Sequence, residues 1–153
     1  MSTINSPIPS LSSEDEKQIL ENFLKGKILL SDLQRVLAGS ITIDFINAPE
    51  RRIIQNIELD PSIRIPVKKV FLCQMIKKYL LGEITALDLS NWAAFIFMTP
   101  FFVPEGRTED ERWQVGEGPV WEIIQNLVSP SIHDGLNSDI ANKYLDKLSR
   151  YLG

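Results

Sequence analysis

Apolar residues recur at three- and four-residue spacing through most of this chain, the period of a helix with one buried face. Ser13-Glu14-Asp15-Glu16 reads as a capping box: the serine oxygen accepts from the third helical amide and Glu16 reaches back to the cap amide. A helix is expected from about Glu14 to Lys25, ended by Gly26, since a left-handed residue after the last turn costs glycine nothing. Ser31-Asp32-Leu33-Gln34 opens a short second helix that Gly39 stops. Pro66 is placed to begin the strongest helix, which stops before Gly82. Its stripe is Phe71, Leu72, Met75, Ile76, Tyr79 and Leu80, with Gln74, Lys77 and Lys78 opposite. Thr85, with Asp88 three residues on, caps "ALDLSNWAAFIFM", which is apolar nearly all round and belongs at the centre of a bundle. Pro119 begins a helix bearing Val120, Trp121, Ile123, Ile124, Leu127 and Val128. A last helix from about Asp139 to Leu152 carries Ile140, Tyr144, Leu145, Leu148 and Tyr151 on one side.

The period shortens to two in "ITIDFIN" from Ile41 and in "SIRIPV" from Ser62, which suits a small ribbon formed by those two segments. Between them, "APERRIIQNIEL" has Pro49 in a first-turn position and Ile53, Ile54 and Ile57 at helical spacing, and is expected to be helical. The pattern as a whole predicts an all-α (mainly α) fold, a single compact bundle of six or seven helices with at most a minor two-strand ribbon. A Pro/Ser-rich lead-in over residues 1–12 precedes the helical domain, 13–153.

One stretch repeats another. "FLKGKILLSDLQRVLAG" from Phe23 and "YLLGEITALDLSNWAAFIF" from Tyr79 align at an offset of 56, matching Gln18/Gln74, Leu24/Leu80, Gly26/Gly82, Ile28/Ile84, Asp32/Asp88, Leu33/Leu89 and Ala38/Ala94. Each match has a folding role: the glycine ends one helix, the isoleucine covers the turn, and the aspartate favours the positive end of the next helix. Two copies do not make a solenoid, which needs three or more. The second helix of the corner is acidic to neutral, where a DNA-reading helix-turn-helix needs basic residues.

Composition narrows the classes further. With 153 residues and 44% hydrophobic content, the chain has enough apolar surface for a real core. Cys73 is the single cysteine, so an internal disulfide framework and a cysteine-rich metal site are excluded. No apolar run reaches the roughly 20 residues that cross a bilayer, and "MSTINSPIPSLSSEDEK" has neither a basic nor a hydrophobic segment of signal-peptide type. The expectation is a cytoplasmic protein that does not enter a membrane.

The net charge of −4 sits in one place. From Thr99 to Asn126 six acids face two bases, while the remaining 14 acidic and 14 basic residues cancel. A phosphate backbone is repelled by such a segment and a basic protein is attracted, so a protein partner is expected and nucleic acid is not. Pro100 ends the apolar helix, and a long acidic loop is predicted over about 99–118, beyond the usual length of structureless connections. Its candidate partner-binding residues are the carboxylates Glu105, Glu109, Asp110, Glu111 and Glu117 and the aromatics Phe101, Phe102 and Trp113. Carboxylates steer an encounter, and an indole offers both a ring to bury and a donor to share. Trp92 and Trp121 fit core stripes instead.

Catalytic chemistry finds little material. His133 is the only histidine; its neighbour Asp134 completes an "HD" pair, but a metal phosphohydrolase needs further histidines. Cys73 has no nearby base in sequence and lies among apolar positions, which suits a packed thiol. "GEG" at Gly116 to Gly118 lacks the lysine and hydroxyl of a phosphate loop, and Glu109 to Glu111 lack the alternation of a calcium loop. No catalytic residue, cofactor or metal is assigned, and the protein is expected not to be an enzyme.

"YLLGEITALDLSNWA", followed by "GPVWEIIQNL" and the terminal "YLDKLSRYL", resembles a group of small helical, largely uncharacterised bacterial proteins, some of immunity-protein type. The resemblance covers about Lys77 to Leu152. It implies a helical protein that neutralises a toxin by binding it, which gives the expected function: a non-enzymatic, protein-binding domain acting on a basic bacterial partner. A small-molecule-sensing or scaffolding helical domain is the alternative.

Overall fold

Local capping decides where the first helix starts. The structure is a computed structural model, and it describes residues 12–37, 40–44, 53–55, 57–104, 118–128 and 135–150. Helix α1 (Ser13–Leu24) is capped by Ser12, whose Oγ accepts from the Asp15 N–H at 3.1 Å. The cap is therefore one residue earlier than the sequence suggests. Both members of the expected box are engaged elsewhere: Ser13 Oγ donates to Asp60 Oδ2 (2.6 Å), and Glu16 Oε1 accepts from the Asp60 N–H (3.0 Å). A carboxylate that is 8% exposed needs such a donor, and this one ties the helix to a distant turn.

Helix α2 (Leu30–Val36) likewise begins before the predicted Ser31 cap, because the Asp32 carboxylate takes the Leu29 N–H at 3.1 Å and fixes the turn at that residue. Gly39, expected to stop it, lies outside the described residues. Helix α3 (Lys69–Leu80) and helix α4 (Ala86–Met98) follow, with Thr85 and Asp88 exchanging the two capping-box bonds at 3.0 Å each. Helices α5 (Gly118–Val128) and α6 (Ser138–Ser149) close the described chain; Asn137 Oδ1 caps α6 by accepting from the Ile140 N–H. Six helices are thus present among the described residues, in a mainly α fold.

The strand content differs from the expected ribbon. Strand β1 (Thr42–Asp44) pairs antiparallel with β2 (Ile53–Gln55), in register Thr42 with Gln55 and Ile43 with Ile54. The segment around Ile53 and Ile54 is therefore extended at its centre and not helical as predicted. Adjacent β-branched side chains pack well on a pleated surface, and pairing outweighed the helical spacing. Strand β3 (Ile65–Val67) pairs in parallel with β4 (Phe102–Pro104), within the stretch predicted as loop. Pro66 is thus mid-strand, and α3 starts three residues later than predicted. The Ile65 N–H donates to the Phe101 carbonyl at 2.7 Å, and a parallel ladder uses alternate residues of each strand. Pro66 and Pro104 consequently turn their donor-less nitrogens to the two outer edges, where proline is tolerated and further strand pairing is blunted.

Helix α4 is the centre, as its composition predicts: every residue from Leu89 to Ile96 is buried. It packs most extensively against α5. An edge-to-face aromatic series crosses the core from α1 through α4 to β4, with ring centroids 5.2 Å apart for Phe23 and Phe95 and 6.1 Å for Phe95 and Phe102. Ser90 Oγ donates to the Leu127 carbonyl (2.7 Å), and the Tyr79 hydroxyl to the Leu136 carbonyl (3.1 Å), joining α5 and the approach to α6 to this centre. No helix among the described residues is long and apolar enough to cross a membrane.

Candidate functional site

The acidic segment is held at both ends by core residues. On its N-terminal side Phe101 and Phe102 are fully buried; on its C-terminal side Val120 and Trp121 are buried on α5, with the Trp121 ring 6.2 Å from that of Phe97. Phe101 and Phe102 are therefore not contact surface, as expected from the sequence, but anchors: Phe102 pairs with Ile65 of β3 and its ring packs edge-on against Phe95, while Phe101, just before the strand, is fully buried. The signal was present in "PFFVP", a short apolar run between prolines that reads as a buried strand. Glu105, Glu109, Asp110, Glu111, Trp113 and Glu117 lie outside the described residues, as do His133 and Asp134. Glu122, the last acid of the charged stretch, is on α5 and pairs with Lys147 of α6.

The repeated corner is the other feature that the sequence singled out, and its two copies are built alike. After α1, the Gly26 N–H reaches the Phe23 carbonyl (3.0 Å) and the Lys27 N–H the Asn22 carbonyl (2.9 Å). After α3, Gly82 bonds to Tyr79 (3.0 Å) and Glu83 to Lys78 (2.9 Å) in the same way. Both are Schellman motifs, with φ of 76° at Gly26 and 77° at Gly82, values open to glycine and costly to other residues. The helix starts obey the same offset of 56, Ser13 with Lys69 and Leu30 with Ala86.

Their surroundings differ. The second unit, α3–α4, covers the first corner: Lys78 Nζ donates to the Gly26 carbonyl (2.8 Å) and Trp92 Nε1 to the Leu24 carbonyl (3.2 Å). Lys78, placed by sequence on the outer face, is half-buried for this reason. A cavity of about 30 Å³ remains in the seam, between Phe23, Ile28 and Leu29 of the first unit and Met75, Asn91 and Trp92 of the second. It has room for one or two water molecules and is about tenfold smaller than a small-molecule pocket.

Candidate chemistry elsewhere is sparse. Cys73 is half-buried on α3, and burial pushes its thiol up, against the smaller opposing pull of Lys77 and Lys69. A thiol shifted that way is less ionised near neutrality and a poorer nucleophile. Asp60 accepts from Ser13 Oγ, Ser62 Oγ (2.7 Å) and the Ser62 N–H (2.9 Å), bonds that hold its carboxyl down to about 2, the Ser13 bond contributing most. That arrangement fastens the turn to α1 and engages the Asp60 carboxylate in holding it. Among the described residues, no group of three or more His, Cys, Asp or Glu side chains is gathered as a metal site. No family model matches the chain, and searches of curated proteins and of solved structures likewise return no match.

Proposed function

We propose that the protein is a non-enzymatic protein-binding domain of inhibitor or immunity type, which uses the acidic stretch over residues 105–117 to engage a basic bacterial partner. The observation that carries this reading is the localisation of charge: all of the chain's net charge falls between Thr99 and Asn126, while the rest of the chain is balanced. Glu122 within that span is already paired with Lys147, so the carboxylates left to attract a partner are Glu105, Glu109, Asp110, Glu111 and Glu117. Burial of Phe101 and Phe102 before the stretch and of Val120 and Trp121 after it fixes both flanks to the core. Tethered flanks lessen the ordering entropy that binding must overcome. The carboxylates steer association and Trp113 supplies buried contact area.

The test is affinity capture from lysate of the source cells, with the wild-type protein and a variant carrying Glu109→Ala, Asp110→Ala, Glu111→Ala and Trp113→Ala. The reading expects a basic protein that is retained by the wild type, weakened by salt and lost with the folded variant. Capture that is indifferent to the four substitutions, or no basic protein at all, refutes it.

A further inference from the structure

The aspartates that open α2 and α4 are equivalent in the repeat, but only one of them has a cation. In α2, Asp32 Oδ2 accepts from the Leu29 N–H at 3.1 Å, and Oδ1 takes Arg35 Nη2 at 2.9 Å. In α4, Asp88 Oδ2 accepts from the Thr85 N–H at 3.0 Å in the same way, yet the position equivalent to Arg35 at the offset of 56 is Asn91, which carries no charge. Among the described residues no cation pairs with Asp88.

This pair lines the cavity in the seam between the two units instead, as residues three apart on one helix face can. Asn91 has a partner within the fold, but its Oδ1, in a residue only 3% exposed, accepts no hydrogen bond from any described residue. A buried amide oxygen is costly without a donor. Phe23, Trp92 and Met75 line the cavity as well; aromatic rings attract a cation, and a thioether sulfur is a weak acceptor. Ser31 at its rim is exposed and Asp88 half-buried, so the cavity opens to solvent between the starts of α2 and α4. Lys78 does not fill it, since its ammonium is committed to the Gly26 carbonyl and lies outside the lining. The lining therefore suits a positively charged donor, and about 30 Å³ is the size of one ammonium group.

We propose that this seam cavity is a binding site for a primary ammonium group, which supplies to Asp88 the charge that Arg35 supplies to Asp32. The three N–H donors of the ammonium serve the Asp88 carboxylate and Asn91 Oδ1, and the carbon stem leaves by the mouth beside Ser31. A small amine and a lysine side chain both carry this group. The site lies apart from the acidic stretch over residues 105–117 and does not depend on the role proposed for it.

The test is titration of the full chain with methylammonium chloride and, separately, with Nα-acetyl-lysine methylamide, at constant ionic strength, followed through the Trp92 indole N–H in proton–nitrogen NMR spectra. A two-atom ligand binds no tighter than about 5 mM, so the series runs to about 200 mM. Saturable shifts at Trp92 are expected, with binding weakened at least tenfold in Asp88→Asn, which keeps an acceptor for the Thr85 N–H, and in Asn91→Leu, which is of similar size; circular dichroism confirms that each variant folds. Saturation by methylammonium alone assigns the site to small amines, and saturation by both ligands to lysine side chains as well. Three results each overturn the proposal: no saturable shift with either ligand; equal binding by the wild type and a folded variant; or the same shifts with sodium or tetramethylammonium, which lack N–H donors and would mean that the cavity holds water only.

Discussion

Replacing each corner glycine by alanine separates backbone cost from packing cost, because the two sites share everything but their neighbours. Gly26 and Gly82 have φ of 76° and 77° and the same pair of Schellman bonds. A Cβ in the left-handed region costs about 1–2 kcal/mol, of which about 0.4–1 kcal/mol is offset by the stiffer unfolded chain. With none of the described residues within 4 Å of its Cβ, Gly82→Ala should lose only this net amount, about 1 kcal/mol. At Gly26 the new methyl meets the Met75 sulfur at 2.6 Å and Lys78 Nζ at 3.3 Å, and Met75 is buried. Displacing a packed side chain adds about 1–3 kcal/mol. For a domain of this size about 1 kcal/mol corresponds to roughly 2–4 °C in Tm. Gly26→Ala should thus melt at least a further 2 °C or so below Gly82→Ala. Urea unfolding followed by circular dichroism measures both variants, and the excess at Gly26 should shrink in a Met75→Ala background, since the two residues are coupled. Equal losses at the two glycines, or an excess that survives removal of Met75, would refute the idea that the second unit seals the first corner.

Other outcomes follow from the same contacts. Ser12→Ala should cost about 1 kcal/mol as a lost helix cap, and a variant as stable as the wild type in urea melts would contradict the observed cap. Lys78→Met keeps the stem and removes the ammonium bond to Gly26, so about 1 kcal/mol should be lost in the same assay; no loss would mean that the bond is not a net contributor. The Asp60 carboxyl is held at about 2 against an ordinary 3.8, so its contribution is complete above about pH 4 and disappears as pH falls through about 2. Stability of the wild type should therefore drop more steeply than that of Asp60→Asn between pH 4 and 2, and parallel curves would remove Asp60 from the account.

Much of the fold was legible because helical signals are local. Thr85 with Asp88, Gly26 and Gly82, and the all-round apolar α4 each act within a few residues, and each appears where the pattern put it. The errors came where a distant partner decided the outcome. Ile53 and Ile54 have helical spacing but pair with β1, and Pro66 looks like a helix start until its partner at Val103 is known. Glu16 left its expected box for the amide of Asp60, 44 residues away. For the candidate site, sequence located the charge but misread Phe101 and Phe102, whose burial depends on a strand supplied by β3. The asymmetry of the two corners was not legible at all, since the matching residues say nothing of what covers them.

The central functional claim is that the carboxylates of residues 105–117 draw in a basic partner. Its most direct measurement is the association rate of the captured partner with the wild-type protein and with a variant carrying Glu105→Gln, Glu109→Gln, Asp110→Asn, Glu111→Gln and Glu117→Gln, at low and high salt. Electrostatic steering predicts a rate at least tenfold higher for the wild type at low salt, converging with the variant as salt rises, while the two proteins melt alike. Equal rates at low salt, or a wild-type rate that salt leaves unchanged, would contradict the claim.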